Sequence, residues 1–366
     1  MTYGADSDQV SVGLIGFGYW GPNLARNLAA LRTSGVDLVA IADLDPANAM
    51  RAQGLYPMAV VSESADAIIL DPTIDAVVIA TPTETHYELS RRALEAGKSV
   101  LVEKPLGATV EEAETLQSLA EERGLVLMVG HVFEYTEAVR HIKEAVDSGD
   151  LGDVLYIRSL RVNLGIYQRT INVLWDLAPH DVSIINYVLG SAPRAVSAVG
   201  RSHITSGVPD IVDLNLYYGD NTLATVVVSW LDPRKIREMT VIGSRKMLVY
   251  DDVSATEKIR VYDKGVDGPS QYDSFGDFHY SYRYGDIVSP LLDLSEPLRA
   301  ECEHFIDCVR HRKQPRSGGA SGVRVVKSLA AAQVSLDAAG EVVTLDDPRL
   351  AEVSATISAR RSVGSE

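Results

Sequence analysis

The chain has 366 residues, 46% of them hydrophobic and 23% charged, which is enough apolar material for two cores at the usual domain size of about 100–150 residues. Its 34 basic and 50 acidic side chains give a net charge of −16, so the average field opposes a nucleic-acid duplex or an anionic membrane as partner. Cys302 and Cys308, six apart on one helical pattern, read as free thiols; with the polar, acidic start MTYGADSDQV they point to a reducing cytoplasm, and no apolar run approaches the ~18 residues of a membrane span.

Residues 10–130 alternate short Val/Ile/Leu runs with amphipathic stretches. The runs Val10–Ile15, Leu38–Ala42, Val77–Ala80, Val100–Val102 and Leu125–Val129 suit strands buried on both faces. Between them the spacing predicts helices, among them Tyr87–Ala96, stopped by Gly97, and a segment from Thr109 to Arg123, opened by the capping box Thr109/Glu112 and closed by Gly124. The alternation predicts an α/β fold with a parallel, doubly wound sheet. Near residue 150 the pattern changes. Strand-like runs now follow one another, at Val154–Ser159, Val196–Arg201, Ile211–Tyr217, Leu223–Ser229, Glu238–Gly243, Lys246–Asp251 and Ile259–Tyr262. They predict an α+β domain with a large open, mostly antiparallel sheet. Helical patterns return at Pro297–Arg312 and Val323–Ala339, and the polar tail 353–366 reads as frayed. The expected division is 1–130 and 131–320.

The first strand runs into Gly16-Phe17-Gly18-Tyr19-Trp20-Gly21-Pro22, a GxGxxG between a strand and a helix. Gly16 permits the turn, Gly18 lets backbone approach a pyrophosphate, and Gly21 lets helix and strand pack closely. The second strand ends at Asp43, whose carboxylate can accept from ribose hydroxyls and repels a 2′-phosphate; the expected cofactor is NAD rather than NADP. Glu103-Lys104-Pro105 closes another buried strand, on the side where ligands bind in open α/β sheets. Taken alone, Lys104 is more often a solvated loop lysine. In Trp175-Asp176-Leu177-Ala178-Pro179-His180-Asp181, Asp176 is read as an N-cap, which puts Pro179 and His180 in the first helical turn. There the helix dipole keeps an imidazole neutral and able to accept a proton. A plain cap and a buried core histidine are equally good readings of these two residues in isolation.

Together GFGYWG, IAD, TPTETHYE, VEKPLG and WDLAPHD, in this order, resemble the glucose–fructose oxidoreductase/inositol dehydrogenase/rhizopine catabolism (Gfo/Idh/MocA) family over residues 10 to about 340. The resemblance implies that Lys104, Asp176 and His180 form the catalytic set beside the nicotinamide. It implies that Thr81, Pro82, His86 and Glu103, with the loop residues Phe17, Tyr19 and Trp20, line the cofactor, that the bond before Pro105 is cis, and that no metal takes part. It also implies that a helix near 321–340 packs back on the nucleotide domain, and that the open sheet binds substrate and joins subunits into a homodimer or homotetramer.

Finer patterns, Asn163-Leu164-Gly165, NVLWDLAPHD with its Trp175, SWLDPRKIR and YRYGDI, resemble the nucleotide-sugar branch of this family, which acts at C3. A sugar nucleotide needs cationic donors. Arg161, Arg169, Lys235, Arg237 and Arg283 can supply them, and Tyr167, Tyr282 and Tyr284 can stack on a base, although each arginine alone is more often a surface charge and tyrosines are common in sheet cores. A free polyol or inositol substrate, an NAD-dependent glycosidase and a non-catalytic NAD-binding sensor remain alternatives. In the expected mechanism His180 exchanges the hydroxyl proton, Lys104 stabilises the reacting oxygen and is the alternative base, and Asp176 orients His180.

Overall fold

The computed structural model describes residues 9–168, 171–267, 280–293 and 295–355. The first unit begins with β1 (Val10–Ile15), α1 (Gly21–Ala30), β2 (Val36–Ala42), α2 (Pro46–Leu55), β3 (Val60–Ser62), α3 (Asp66–Ile69), β4 (Ala76–Ile79), α4 (Thr83–Glu95), β5 (Ser99–Glu103), α5 (Val110–Arg123) and β6 (Leu127–Gly130). All six strands are parallel, in the order β3-β2-β1-β4-β5-β6. Val12, Leu14, Val77, Val78, Val100 and Val102 are solvent-free, as a doubly covered sheet demands. The strand order reverses between β1 and β4, which opens a crevice at their carboxyl ends. At α5 the Thr109 hydroxyl accepts from the Glu112 N–H at 3.1 Å, while the Glu112 carboxylate reaches the N–H of Ala108 at 2.7 Å, one residue beyond the cap.

The second unit contains α6 (Glu137–Asp147), β7 (Val154–Val162), α7 (Val173–Leu189), β8 (Ala195–Arg201), β9 (Ile211–Tyr217), β10 (Leu223–Ser229), β11 (Ile236–Gly243), β12 (Met247–Asp251), β13 (Ile259–Asp267) and β14 (Ser281–Val288). The chain then gives α8 (Pro297–His311), α9 (Gly319–Asp337) and β15 (Val343–Thr344). The second sheet has nine strands, β14-β13-β12-β11-β7-β10-β9-β8-β15. Every neighbouring pair is antiparallel except β7/β10. One face is covered by α7, against which β10, β7 and β9 pack. On the other face Tyr156, Leu223 and Tyr217 stand in register across β7, β10 and β9, with Ile242 opposite Tyr156. Tyr156 is 46% and Tyr217 37% exposed, an apolar belt left on the open side.

Contacts gather the described residues within 9–136, 295–327 and 351–355 into one unit and those within 137–293 and 328–350 into another. This departs from the sequence expectation at α8, which falls in the first unit. Its buried residues Leu298, Cys302, Phe305, Ile306 and Cys308 share one core with Leu24 and Leu28 of α1. Only the start of α9, to residue 327, belongs there too. Cys302 and Cys308 are buried free thiols, and among the described residues no helix is long and apolar enough to cross a membrane.

Candidate active site

The β1–α1 turn shows why each glycine is needed. Gly16 has φ +97°, and a Cβ there would lie 2.6 Å from the Ala80 carbonyl oxygen. A Cβ on Gly21 would lie 2.1 Å from the Gly16 oxygen, so α1 could not start where it does. A Cβ on Gly18 meets nothing within 4 Å, so that position is bare toward open space. The turn borders a cleft of 920 Å³ lined by Gly16, Gly18, Tyr19, Trp20, Asp43, Thr81 and Pro82, among others. A dinucleotide fits this donor set: bare backbone at Gly18, a helix N-terminus at Gly21 and a carboxylate at the end of β2.

The Asp43 carboxylate is tied to the glycine turn. Its Oδ2 accepts from the Phe17 N–H at 2.5 Å, and its Oδ1 from the Asp45 N–H at 2.8 Å and from Asn48 at 3.3 Å. The carboxylate therefore shapes the glycine turn while keeping acceptor capacity to spare. Phe17 itself is a correction: its ring is solvent-free and packs edge-on to Tyr56, so only its backbone reaches the turn. Arg51, which the sequence reading missed, donates to the Phe17 and Gly18 carbonyls at 2.6 and 3.0 Å and lies 5.2 Å over the Phe17 ring. The cleft lining is acidic, with Asp43, Asp45, Glu63, Asp66, Glu84 and Glu88 against Arg92, which is itself paired with Asp66. That field disfavours an extra phosphate beyond what Asp43 does alone.

His86 is a second correction. It is 1% exposed, and its ring nitrogens lie 2.8 Å from the carbonyl oxygens of Pro105 and Thr81. Both nitrogens are used, so His86 ties the end of β4 to the loop after β5 rather than lining the cleft. Burial pushes its pKa down, and the two carbonyls pull the other way. The Lys104–Pro105 bond is cis, as expected. Lys104 is half-buried at the end of β5. Beside it, burial lifts the Glu103 carboxyl to about 7, against the Lys104 charge and hydrogen bonds from the Lys104 N–H and Trp20.

In the second unit α7 starts earlier than its sequence suggested. Asn172 is the cap, accepting from the Trp175 N–H at 3.2 Å, and Asp176 lies in the first turn. Pro179 is therefore interior and His180 lies in the second turn, where the N-terminal dipole argument for its neutrality no longer applies. Asp176 and His180 are one turn apart, and both are partly exposed. Trp175 is 1% exposed and belongs to the core. Asp176 is held by Trp230, a residue of the SWLDPRKIR run not singled out from the sequence; it is 1% exposed and its indole N–H donates to Asp176 at 2.9 Å. The Tyr167 ring lies 5.3 Å from Trp230. Gly165 runs beside the same indole, with its N–H on the Trp230 carbonyl at 2.8 Å, while the Asn163 N–H donates to the neighbouring Ser229 carbonyl at 3.2 Å. Gly165, Tyr167 and Asp176 thus meet Trp230.

Arg161 and Arg237 stand side by side, and Arg283 stands apart. Arg161 is 5% exposed and paired with Asp181, Nε to Oδ2 at 2.5 Å, while Ser159 donates to the same carboxylate at 2.7 Å. This buried pair replaces the surface cation that the sequence suggested. Arg237 stands opposite Arg161 across β11 and β7 and contacts Asp252 at 3.4 Å. Arg283 is on the edge strand β14, paired with Asp263 at 2.9 Å. Three strand spacings, roughly 14 Å, separate β14 from β11. Arg169 lies outside the described residues.

Comparison with known proteins fits this geometry. Residues 10–131 match the family described as "Oxidoreductase family, NAD-binding Rossmann fold", and residues 139–249 match the "GFO/IDH/MocA C-terminal domain". The chain is 27% identical to a UDP-N-acetylglucosamine 3-dehydrogenase of Acidithiobacillus ferrooxidans, over 89% of this chain and 97% of the relative. A structure of that enzyme superimposes with a TM-score of 0.74, at 26% identity, covering 90% of this chain and 98% of the other. The chain is also 26% identical to the NAD(+)-dependent scyllo-inositol 2-dehydrogenase of Bacillus subtilis strain 168, over 84% of this chain and 88% of the relative.

Proposed function

The chain belongs to the GFO/IDH/MocA oxidoreductase family and is an NAD-dependent sugar or polyol oxidoreductase; from that premise we propose that its substrate is a nucleotide-activated sugar, oxidised or reduced at C3. Bound NAD supplies the hydride acceptor in oxidation and the hydride donor in reduction. Gly16, Gly18 and the α1 N-terminus hold the pyrophosphate, and Asp43 the adenosine ribose. His180 takes the sugar hydroxyl proton in oxidation and returns it in reduction. Lys104 donates a hydrogen bond to the reacting oxygen and stabilises charge growing on it. Asp176, fixed by the Trp230 indole, orients His180 and supports its cationic form.

The observation that carries this reading is the Asp176 carboxylate held at 2.9 Å by the N–H of the buried Trp230 indole, one turn from His180, with the half-buried Tyr167 ring beside that indole. The accessible part of the Tyr167 ring suits a sugar ring or a nucleobase. The polyol reading is favoured by the scyllo-inositol 2-dehydrogenase relative. The test is NADH absorbance with NAD⁺ and a panel of UDP-sugars, dTDP-sugars, free sugars and inositols. Turnover on UDP-N-acetylglucosamine or another nucleotide sugar, at least tenfold above any inositol in kcat/KM, supports the proposal. The reverse ranking replaces it with a polyol dehydrogenase.

The apolar belt Tyr156–Leu223–Tyr217 supports a homodimer or homotetramer formed through the open sheet face. Light scattering at micromolar concentration should give a multiple of 39.6 kDa, and a monomer would dismiss this arrangement. The buried free thiols fit work in the cytoplasm.

A further inference from the structure

Behind the end of β5 the first unit buries more ionisable groups than its hydrogen bonds serve. Glu301 on α8 is solvent-free, and neither carboxyl oxygen has a hydrogen-bond partner among the described residues. His131, one residue past β6, is 1% exposed, and neither ring nitrogen has one either. Glu103 is the last residue of β5. Its carboxyl is pressed so close to Gly130 that a Cβ there would lie 3.0 Å from Oε2. On its other side it accepts from Trp20, and Trp20 lines the nucleotide cleft. One carboxyl therefore touches both the wall of the cleft and a packed polar interior.

The charges around Glu103 come from each element packed there. Its own loop brings Lys104, whose charge acts to lower the Glu103 pKa. The turn after β6 brings His131, Glu134 and Tyr135. Burial holds His131 neutral, down to about 3, with the Lys104 charge acting the same way, and burial raises the Tyr135 hydroxyl. From α8 come Glu301 and Cys302, both pushed well above their ordinary values by burial first and by neighbouring carboxylates second. Arg316, beyond α8, donates to the Glu134 carbonyl at 2.8 Å and lies over the Tyr135 ring. A carboxylate kept from water without donors is far costlier than the same group with its proton, so Glu301 is a neutral acid. Glu103, beside one cation and near neutrality, is the group whose proton a nearby charge can move.

NAD⁺ and NADH carry the same phosphates and riboses and differ by one positive charge on the nicotinamide ring. Ligands of open α/β sheets bind at the carboxyl ends of the strands, where Glu103 sits. We propose that Glu103, backed by neutral Glu301, binds a proton whose occupancy is set by the charge of the nicotinamide ring: NAD⁺ drives the proton off to solvent, and NADH lets it return. Positive charge nearby favours the carboxylate. By linkage, NAD⁺ binds more tightly as pH rises toward the Glu103 value, and NADH binding lacks that dependence. The proposal rests on NAD as cofactor and not on any sugar.

The test needs no substrate. Titration calorimetry of the full chain with NAD⁺ and with NADH at pH 7, in two buffers of different ionisation enthalpy, counts the protons exchanged. NAD⁺ is expected to release a measurable fraction of a proton more than NADH, because burial lifts the Glu103 carboxyl toward neutrality. Glu103→Gln should abolish the difference. Glu301→Gln, which replaces a neutral acid with a neutral amide, should keep it. Equal counts for the two cofactors in the unmodified protein overturn the proposal, as does a difference that survives Glu103→Gln or disappears in Glu301→Gln. Should Glu103→Gln not fold, the unmodified protein decides. NAD⁺ affinity should rise by up to about tenfold per pH unit below pH 7 and level off above it, while NADH affinity stays flat. A parallel pH dependence for both cofactors overturns it. Failure here leaves the sugar assignment standing, and failure of the sugar panel leaves these counts unaffected.

Discussion

The two units bury charge in opposite ways. Beneath α7 in the second unit, Arg161 and Asp181 form an ion pair with Ser159 closing the remaining acceptor, and solvent-free Asp210 accepts from the N–H groups of His203 and Ile204 at 2.7 and 2.9 Å and from the His203 ring at 2.7 Å. Charges there are matched donor for acceptor, an arrangement that fixes one geometry. At the end of β5 in the first unit, Glu301 and His131 are buried with no hydrogen-bond partner among the described residues, and burial lifts the Glu103 carboxyl to about 7. Matched charges hold a shape; unmatched ones hold protons. The second unit is held in one geometry, and in the proposal above the first answers to the charge of what binds it.

The strongest way to break this comparison is to unpair the matched site. Asp181→Ala removes the carboxylate paired with buried Arg161, and urea unfolding should show a loss of about 3–5 kcal/mol. A loss under about 1 kcal/mol would mean the pair is not the clamp described here. Next in size are the residues proposed for proton handling. His180→Ala and Lys104→Ala should each lower turnover by about 10²-fold or more while leaving NADH affinity nearly unchanged, because neither holds the pyrophosphate. Normal turnover in both variants would remove them from the mechanism.

The same comparison explains what could be read from the chain alone. The first unit was legible because its parts are contiguous: Gly16, Gly18 and Gly21 lie within six residues, and Asp43 closes the next strand. Residues missed there act across distance. Arg51 reaches back to the glycine turn, and Glu301 comes from a helix that the pattern change at residue 150 assigned to the second domain. In the second unit seven of the nine strands were readable from alternation, β14 and β15 were not, and the order was hidden, because the parallel β7/β10 pairing brings together runs more than sixty residues apart. Trp230 escaped notice for the same reason, 54 residues from the Asp176 it holds. The helix start failed for a local reason: Asp176 and Asn172 are both good caps, and the apolar Val173-Leu174-Trp175 segment, buried against the core, settled the choice.

Two smaller effects sharpen the contrast. Glu301 has its folded pKa raised above the unfolded value near 4.5, so the stability it allows is complete below that value and is lost as pH rises toward the folded one. Glu301→Gln should remove this loss. Its unfolding free energy should match the unmodified protein near pH 4.5 and exceed it increasingly above, by at most about 1.4 kcal/mol per pH unit. A variant less stable at pH 7.5 than at the start of that window, relative to the unmodified chain, would mean Glu301 is an ionised and paired carboxylate. Asp43→Ala should narrow the preference for NAD over NADP, with the acidic cleft lining retaining part of it. Equal affinities of the unmodified protein for the two cofactors would contradict that electrostatic account.

The most direct test of the central claim follows one atom. A nucleotide sugar deuterated at C3 is incubated with NAD⁺ and the enzyme, and the NADH formed is analysed by mass spectrometry. The account predicts NADH heavier by one deuterium. NADH formed at the normal rate without deuterium would contradict C3 as the reacting carbon.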